Sequence, residues 1–209
     1  MPTARHVKQP KIAPTARADI DVSFYGRVDA ALKDLRTCSR QIGPVLLSME
    51  DELRILDRLY YKGKNQHRLA KFWKKVEEMR RFGKRIVEMQ LSARMDDLRY
   101  AFYGDGSLER NPSTLKKAWT QIPDVSYLSC MLYRVEGANV LVDEARRRFA
   151  GVNRSLLLMM QTGAFLQFIV TLTAIVSRLD ALSQEIQEPL YSWKASLKSL
   201  ISVMKVPHV

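Results

Sequence analysis

Apolar residues recur at intervals of three and four along nearly the whole chain, the spacing of α-helices that each bury one face. Val28, Ala31, Leu32, Leu35 and Cys38 mark a first helix from about 21 to 41, which Gly43-Pro44 is expected to break. Leu46, Met49, Leu53, Leu56 and Tyr60 mark a second, from about 45 to 61. A loop at Lys62-Gly63-Lys64 would follow, with Asn65 as the N-cap of a third helix. That helix is predicted to run from about 66 to 102, with an apolar face of Leu69, Phe72, Trp73, Val76, Met79, Gly83, Ile86, Val87 and Gln90. His67, Arg68, Lys71, Lys74, Lys75, Glu78, Arg81 and Arg85 fall on the opposite face.

Tyr103 to Pro112 reads as a loop, and a short helix through Lys116 and Trp119 would end near Pro123. A further helix is predicted over 124–149, then an apolar one over 153–188 that Pro189 stops, then a last one over 191–205. Within the apolar helix, 156–176 holds 21 residues without a charge, bracketed by Arg154 and Arg178. Its length alone would suit a membrane span. Gln161, Thr162, Gln167, Thr171 and Thr173 are costly in hydrocarbon, however, and the other helices carry apolar stripes that need a shared partner. The expected fold class is therefore all-α: an antiparallel helical bundle around one long apolar central helix, with a long basic amphipathic helix. One domain is expected over 19–209, preceded by a basic, proline-containing tail, 1–18, that is disordered until it meets a partner.

Charge sharpens the picture. The chain carries +12, of which Lys62 to Arg85 supplies ten Lys/Arg against two Glu, and the first eighteen residues add four cations and no acid. The rest is neutral. A balanced helical body with its excess charge on one helix and one tail points to a polyanionic partner. Apolar residues at 46% and charged residues at 27% exclude wholesale disorder. Cys38 and Cys130 lie far apart in apolar-periodic segments and read as buried thiols, and the polar N-terminus holds no secretory signal.

No catalytic constellation assembles. The three histidines, His6, His67 and His208, are scattered, and no metal, nucleophile-elbow or P-loop spacing occurs. Acid pairs such as Asp96-Asp97 and Glu77-Glu78 are helix neighbours that point about 100° apart. The expectation is a protein with no enzymatic activity, no cofactor, no metal site and no small-molecule substrate. Phosphate contacts fall to Arg68, Lys71, Lys74, Lys75, Arg81 and Arg85, where like charges at i, i+4 repel unless an anion relieves them. Lys62, Lys64, Asn65, Gln66 and His67 would form a shape-reading end, by capping, by donating to a phosphate at the helix start, or by reading an unpaired base. Phe72, Trp73, Trp119 and Trp193 read as packing residues. Arg146, Arg147, Arg148 and Arg154 form a second basic patch near an expected helix–helix turn, where they would contact RNA or favour the negative end of the preceding helix.

Asn65-Gln66-His67-Arg68, followed by Trp73 and then Glu78-Met79-Arg80, resembles the RNase MRP protein 1 family of fungi and its animal relatives, the nucleolus and neural progenitor (Nepro) proteins. Phe149-Ala150-Gly151-Val152, Leu166-Gln167-Phe168, Arg178 and Ala181-Leu182 agree with it, and the likeness spans about Leu46 to Glu188. The resemblance implies a helical, non-catalytic RNA-binding subunit of an RNase MRP-type ribonucleoprotein, which processes ribosomal RNA precursors in the nucleolus of the nucleus. Its partners would be RNase MRP RNA and the other protein subunits of the particle, with no membrane. Unlike the fungal members, the chain stops at Val209 without a Lys-rich tail and carries extra helices before Leu46, which leans toward the Nepro branch. Two rivals remain at this stage: a membrane-associated helical protein with 156–176 spanning, and a protein–protein scaffold whose basic face meets an acidic partner.

Overall fold

A computed structural model describes residues 10, 12–104, 115 and 117–204. Its elements are β1 (Thr15–Ala16), α1 (Tyr25–His67), α2 (Lys71–Glu88), α3 (Leu91–Ala101), β2 (Gln121–Ile122), α4 (Val125–Met160) and α5 (Leu166–Met204). The all-α class holds, with one short ladder added: Thr15 pairs with Ile122 and Ala16 with Gln121, antiparallel. Two residues per strand are too few to leave an alternating pattern in the sequence.

The chain forms two compact units. One comprises residues up to Gln41, Leu91–Ala138 and the segment from Pro189; the other comprises Ile42–Gln90 and Asn139–Glu188. In the first, Ser39 on α1 donates to Asp96 on α3 at 3.0 Å, and Lys194 on α5 pairs with Glu136 on α4 at 3.0 Å. Val28, Leu35, Leu98, Leu128, Val135 and Trp193 fill its core. Arg17, assigned by sequence to a disordered tail, is folded here: its guanidinium lies 4.5 Å from the ring centres of both Tyr25 and Trp119. Residues 1–9 and 11 of that tail, and most of the expected loop and short helix over 103–119, lie outside the described residues.

In the second unit, α2 folds back antiparallel on the end of α1, since Leu53 abuts Gly83 and Trp73 abuts Gly63. The α4–α5 pair is antiparallel too: Asp143 accepts from Gln187, and one turn further along α4 Arg146 reaches Asp180 at 3.1 Å. Met49, Leu56, Val76, Met79, Phe149 and Leu172 are buried between these segments.

Both expected proline breaks are absent. Pro44 lies inside α1 and Pro189 inside α5. An internal proline costs about 3 kcal/mol through a lost hydrogen bond and a clash with the carbonyl four residues back. That carbonyl belongs to Arg40 in one case and Glu185 in the other, and both residues are exposed. Ile42, Leu46, Ile186 and Leu190 beside the prolines are at most 8% exposed, and their burial offsets the defect.

Breaks occur instead where no proline stands. The expected 66–102 helix is two helices, because Gln90 adopts φ 51° and turns the chain between Met89 and Leu91, both buried. The expected apolar helix over 153–188 is also two. Thr162 donates its hydroxyl to the Met159 carbonyl at 2.7 Å, the Gly163 amide bonds Met160 at 3.1 Å, and Gly163 takes φ 69°. This is a left-handed glycine stop. Residues 156–176 therefore form a helix end, a turn and a helix start, which removes the single central helix expected there and the 156–176 span of the rival reading. Only one face is covered: Leu156, Ile169 and Leu172 are buried, whereas Leu158 is 64% exposed and Phe165 50%. Among the described residues, α5 is long and apolar enough to cross a membrane, a test that core helices of soluble proteins also pass.

Two measurements check this packing. A Cβ on Gly63 would meet the Trp73 ring at 2.7 Å and the Phe168 ring at 3.1 Å, whereas nothing lies within 4 Å of one on Gly151, inside α4. Gly63→Ala should lower the thermal midpoint, overpacking costing about 1–3 kcal/mol. Gly151→Ala should raise it, by about 0.5–1 kcal/mol of helix propensity. The second test concerns Asp57 on α1. Burial pushes its carboxyl up, but hydrogen bonds and charge from Lys84 and Arg80 on α2 outweigh this and hold it below the usual carboxylate range. A lowered folded value means stability present above the unfolded value, about 4, and lost as pH falls through the folded one. Acid titration of thermal stability should therefore be shallower in Asp57→Asn than in the parent.

Candidate nucleic-acid interface

The cations that sequence placed at a helix start stand at a helix end. Lys62, Lys64, Asn65 and Gln66 occupy the last turns of α1 and are exposed, with the Lys64 ammonium 4.9 Å from the Tyr61 ring centre. Gly63 is helical and buried because α1 passes close to the Trp73 ring, so it marks a close approach and not a loop. Asn65 caps nothing. The turn is Arg68–Ala70, with the Ala70 amide on the His67 carbonyl at 2.8 Å, and Ala70 stands at the N-cap of α2 without a side-chain bond. The first amides of α2 are thus left without a side-chain acceptor, beside the exposed Arg68 and Lys71.

His67 departs furthest from expectation. It is 6% exposed and ringed by aromatics: Phe165 at 4.9 Å, Phe72 and Phe168 at 5.4 Å and Trp73 at 5.5 Å between centroids. It packs the turn and has no access to a base. Leu69, placed by periodicity on the apolar face, is 85% exposed because the turn lifts it off the helix.

Along α2 the two-faced reading holds. Phe72, Trp73, Val76, Met79, Phe82, Gly83 and Ile86 are buried. Lys71, Lys74, Arg81 and Arg85 are exposed and form no ion pair among the described residues. Lys75 reaches Glu78 at 3.4 Å, a surface pair of small worth. Arg80 and Lys84 turn inward to Asp57, the latter at 2.7 Å. Phe82, missing from the predicted face, is the residue that sequence reasoning overlooked. Its ring carries Arg81 at 5.8 Å and Arg85 at 5.6 Å, which holds both guanidiniums up on the surface. The spacing Met79, Phe82, Gly83, Ile86 was the available signal.

The second basic patch is mostly neutralised from within. Arg146, Arg147 and Arg148 lie inside α4, not near a turn, since the helix continues through Gly151 to Met160. Arg146 bonds Asp180, Gln187 and Gln184. Arg147 and Arg148 share Glu144 at 2.8 and 2.6 Å, and Arg148 also reaches Glu78 on α2 at 2.9 Å. The Arg148 and Arg147 hydrogen bonds hold the Glu144 carboxyl below its usual range, and that with Glu144 raises Arg148. Arg154 alone of this patch is exposed and without an ion pair among the described residues. Cys38 is buried as expected, with burial pushing its thiol up, whereas Cys130 is half-buried; both are free thiols. Among the described residues no three His, Cys, Asp or Glu side chains converge on a metal-sized site.

The arrangement is a run of outward cations, Lys62, Lys64, Arg68, Lys71, Lys74, Arg81 and Arg85, with Lys75 beside them, anchored by a buried aromatic cluster. Its ammonium and guanidinium groups can bind phosphates. No curated protein and no solved structure matches the chain. One family model does, that of the nucleolus and neural progenitor protein, N-terminal, over residues 4–198. By a match that takes in nearly the whole chain, the protein belongs to the family of the nucleolus and neural progenitor protein N-terminal domain.

Proposed function

We propose that this protein acts in the nucleolus as a non-catalytic RNA-binding subunit of an RNase MRP-type ribonucleoprotein, taking part in ribosomal RNA precursor processing. The family's name supports the nucleolar setting. The observation that carries RNA binding is the exposed stripe Lys71, Lys74, Arg81 and Arg85, like charges that form no ion pair among the described residues although neighbouring cations do. Lys71 and Lys74 at i, i+3 and Arg81 and Arg85 at i, i+4 repel by a few tenths of a kcal/mol each, and a phosphate backbone relieves that while giving salt-sensitive affinity. The named particle rests on the likeness of Asn65-Gln66-His67-Arg68 and its flanking residues to the RNase MRP protein family. Its RNA would be the principal partner, with the particle's other protein subunits beside it.

Replacing Lys71, Lys74 and Arg81 together by Gln should weaken binding to single-stranded RNA and lower the log–log salt slope by about 2–3, while helicity by circular dichroism stays unchanged. An unchanged slope would remove α2 from the interface. Affinity purification of the tagged protein from its native cells, without detergent and followed by RNA sequencing, tests the particle. Enrichment of RNase MRP RNA over the related RNase P RNA is expected. Recovery only in detergent would favour a membrane protein, and recovery with proteins but no defined RNA would favour a scaffold.

A further inference from the structure

The first unit holds a cavity of ≈ 210 Å³ that the basic stretch does not touch. Its walls come from three places: α1, which presents Asp29, Lys33 and Arg36 at i, i+4 and i+7 on one face; the end of α3, with Arg99 and, just beyond, Tyr103; and the segment before β2, with Lys117. Four cations therefore face one carboxylate. Asp29 is already engaged, accepting from the Trp119 indole N–H at 2.9 Å, which fixes the wall. Arg99 is steadied by Asp96 at 3.2 Å. Lys33, Arg36 and Lys117 form no ion pair among the described residues and are exposed at the mouth.

We infer that this cavity binds a phosphate monoester, the terminal phosphate of a single-stranded RNA. The inference rests on the RNA-binding reading above and adds a site and a ligand group to it. Size and charge select the group. The cavity holds about seven waters' worth of space and opens to solvent, so a phosphate fits inside while the strand behind it stays outside. Lining charges of four cations and Asp29, with Asp96 paired to Arg99, leave an excess near +2. A terminal monoester carries about −1.5 to −2 at neutral pH, whereas an internal diester carries one charge. Arginine forks suit phosphate oxygens, and the Tyr103 hydroxyl adds a neutral donor. Burial, with Asp29 adding to it, raises Tyr103 above its ordinary value against the opposing pull of Arg99 and Arg36, so the phenol keeps its proton with both guanidiniums close by.

The test compares one short single-stranded RNA bearing a 5′-monophosphate, a 3′-monophosphate or hydroxyls at both ends, titrated into the full chain at fixed salt. One phosphorylated end should bind about tenfold more tightly than the hydroxyl form, the scale of charge-assisted hydrogen bonds. Lys33→Gln with Arg36→Gln should erase that ratio while the affinity for the hydroxyl form stays as it was. Lys117→Gln, outside any helix, should reduce the ratio without risk to α1. Neutralising Lys71, Lys74 and Arg81 should instead weaken all forms alike and keep the ratio. Equal binding of all ends by the parent, or a ratio that survives in the Lys33/Arg36 variant, overturns the site alone. Absence of binding by every oligonucleotide overturns both the site and the RNA reading. A phosphoserine peptide that binds more tightly than the phosphorylated RNA, and does so through Lys33 and Arg36, overturns the RNA assignment in favour of a protein ligand.

Discussion

The placement of the outward cations depends on the packing of His67 among four rings. Trp73, Phe72, Phe165 and Phe168 close around it, and Gly63 lets the α1 backbone come near enough to the Trp73 and Phe168 rings for the cluster to form. Aromatic pairs add about 0.5–1.5 kcal/mol each beyond the area they bury, so several of them around one imidazole specify where α1 stops and how α2 begins. Once His67 points inward, helical geometry turns Lys62, Lys64, Asn65 and Gln66 away from the cluster, and the three-residue turn leaves Arg68 and Leu69 outside. A cationic ridge follows from a buried histidine.

Internal pairing then decides which cations remain for a partner. Asp57 takes Arg80 and Lys84, Glu144 takes Arg147 and Arg148, and Asp180 takes Arg146. These acids stand on the neighbouring helix or one turn away, so the arginines that look most basic in sequence become ties within the second unit. The sequence total of ten cations between Lys62 and Arg85 thus overstates what faces outward. The stripe that remains is narrower than the run of basic letters suggests, and it is held up partly by the Phe82 ring.

Helical periodicity was legible from a single sequence. Of the positions read as buried on α1, Val28, Ala31, Leu35, Cys38, Leu46, Met49, Leu53 and Leu56 are buried, whereas Leu32 and Tyr60 are only half-buried. Punctuation was not, for a physical reason in each case. Gly43-Pro44 and Pro189 are strong local stop signals, but tertiary burial on either side outweighs a local cost, and a lone sequence carries no record of tertiary burial. The true break at Gln90 has no glycine or proline. Its signal is a slip of phase, since Ile86 and Met89 are followed by Leu91, Met95 and Leu98, and a two-residue step cannot stay on one face of a helix. Gly163 is a stop signal of the ordinary kind, hidden because the uncharged run around it read as one helix. His67 was misplaced because its neighbours are charged, while the rings that bury it come from 72–73 and from 165–168. The cavity in the first unit was illegible, since its cations come from three segments up to eighty-four positions apart, Lys33 and Lys117 being the extremes.

The two sets of free cations differ in kind, and that difference bears on how one RNA would be held. The α2 set is a ridge: 18 helical residues rise about 27 Å, so its side chains meet successive phosphates of a backbone running past. Each such contact releases counterions and tolerates any sequence, which gives strength without register. The set around Lys33 and Arg36 is concave and small, with an excess charge near that of a dianion, so on the proposed reading it would favour the end of a strand over its middle. A ridge alone lets a strand slide, whereas a cavity that takes only a terminus gives the strand an origin. On the proposed reading, positioning an RNA would draw on both properties, each from a separate set of residues.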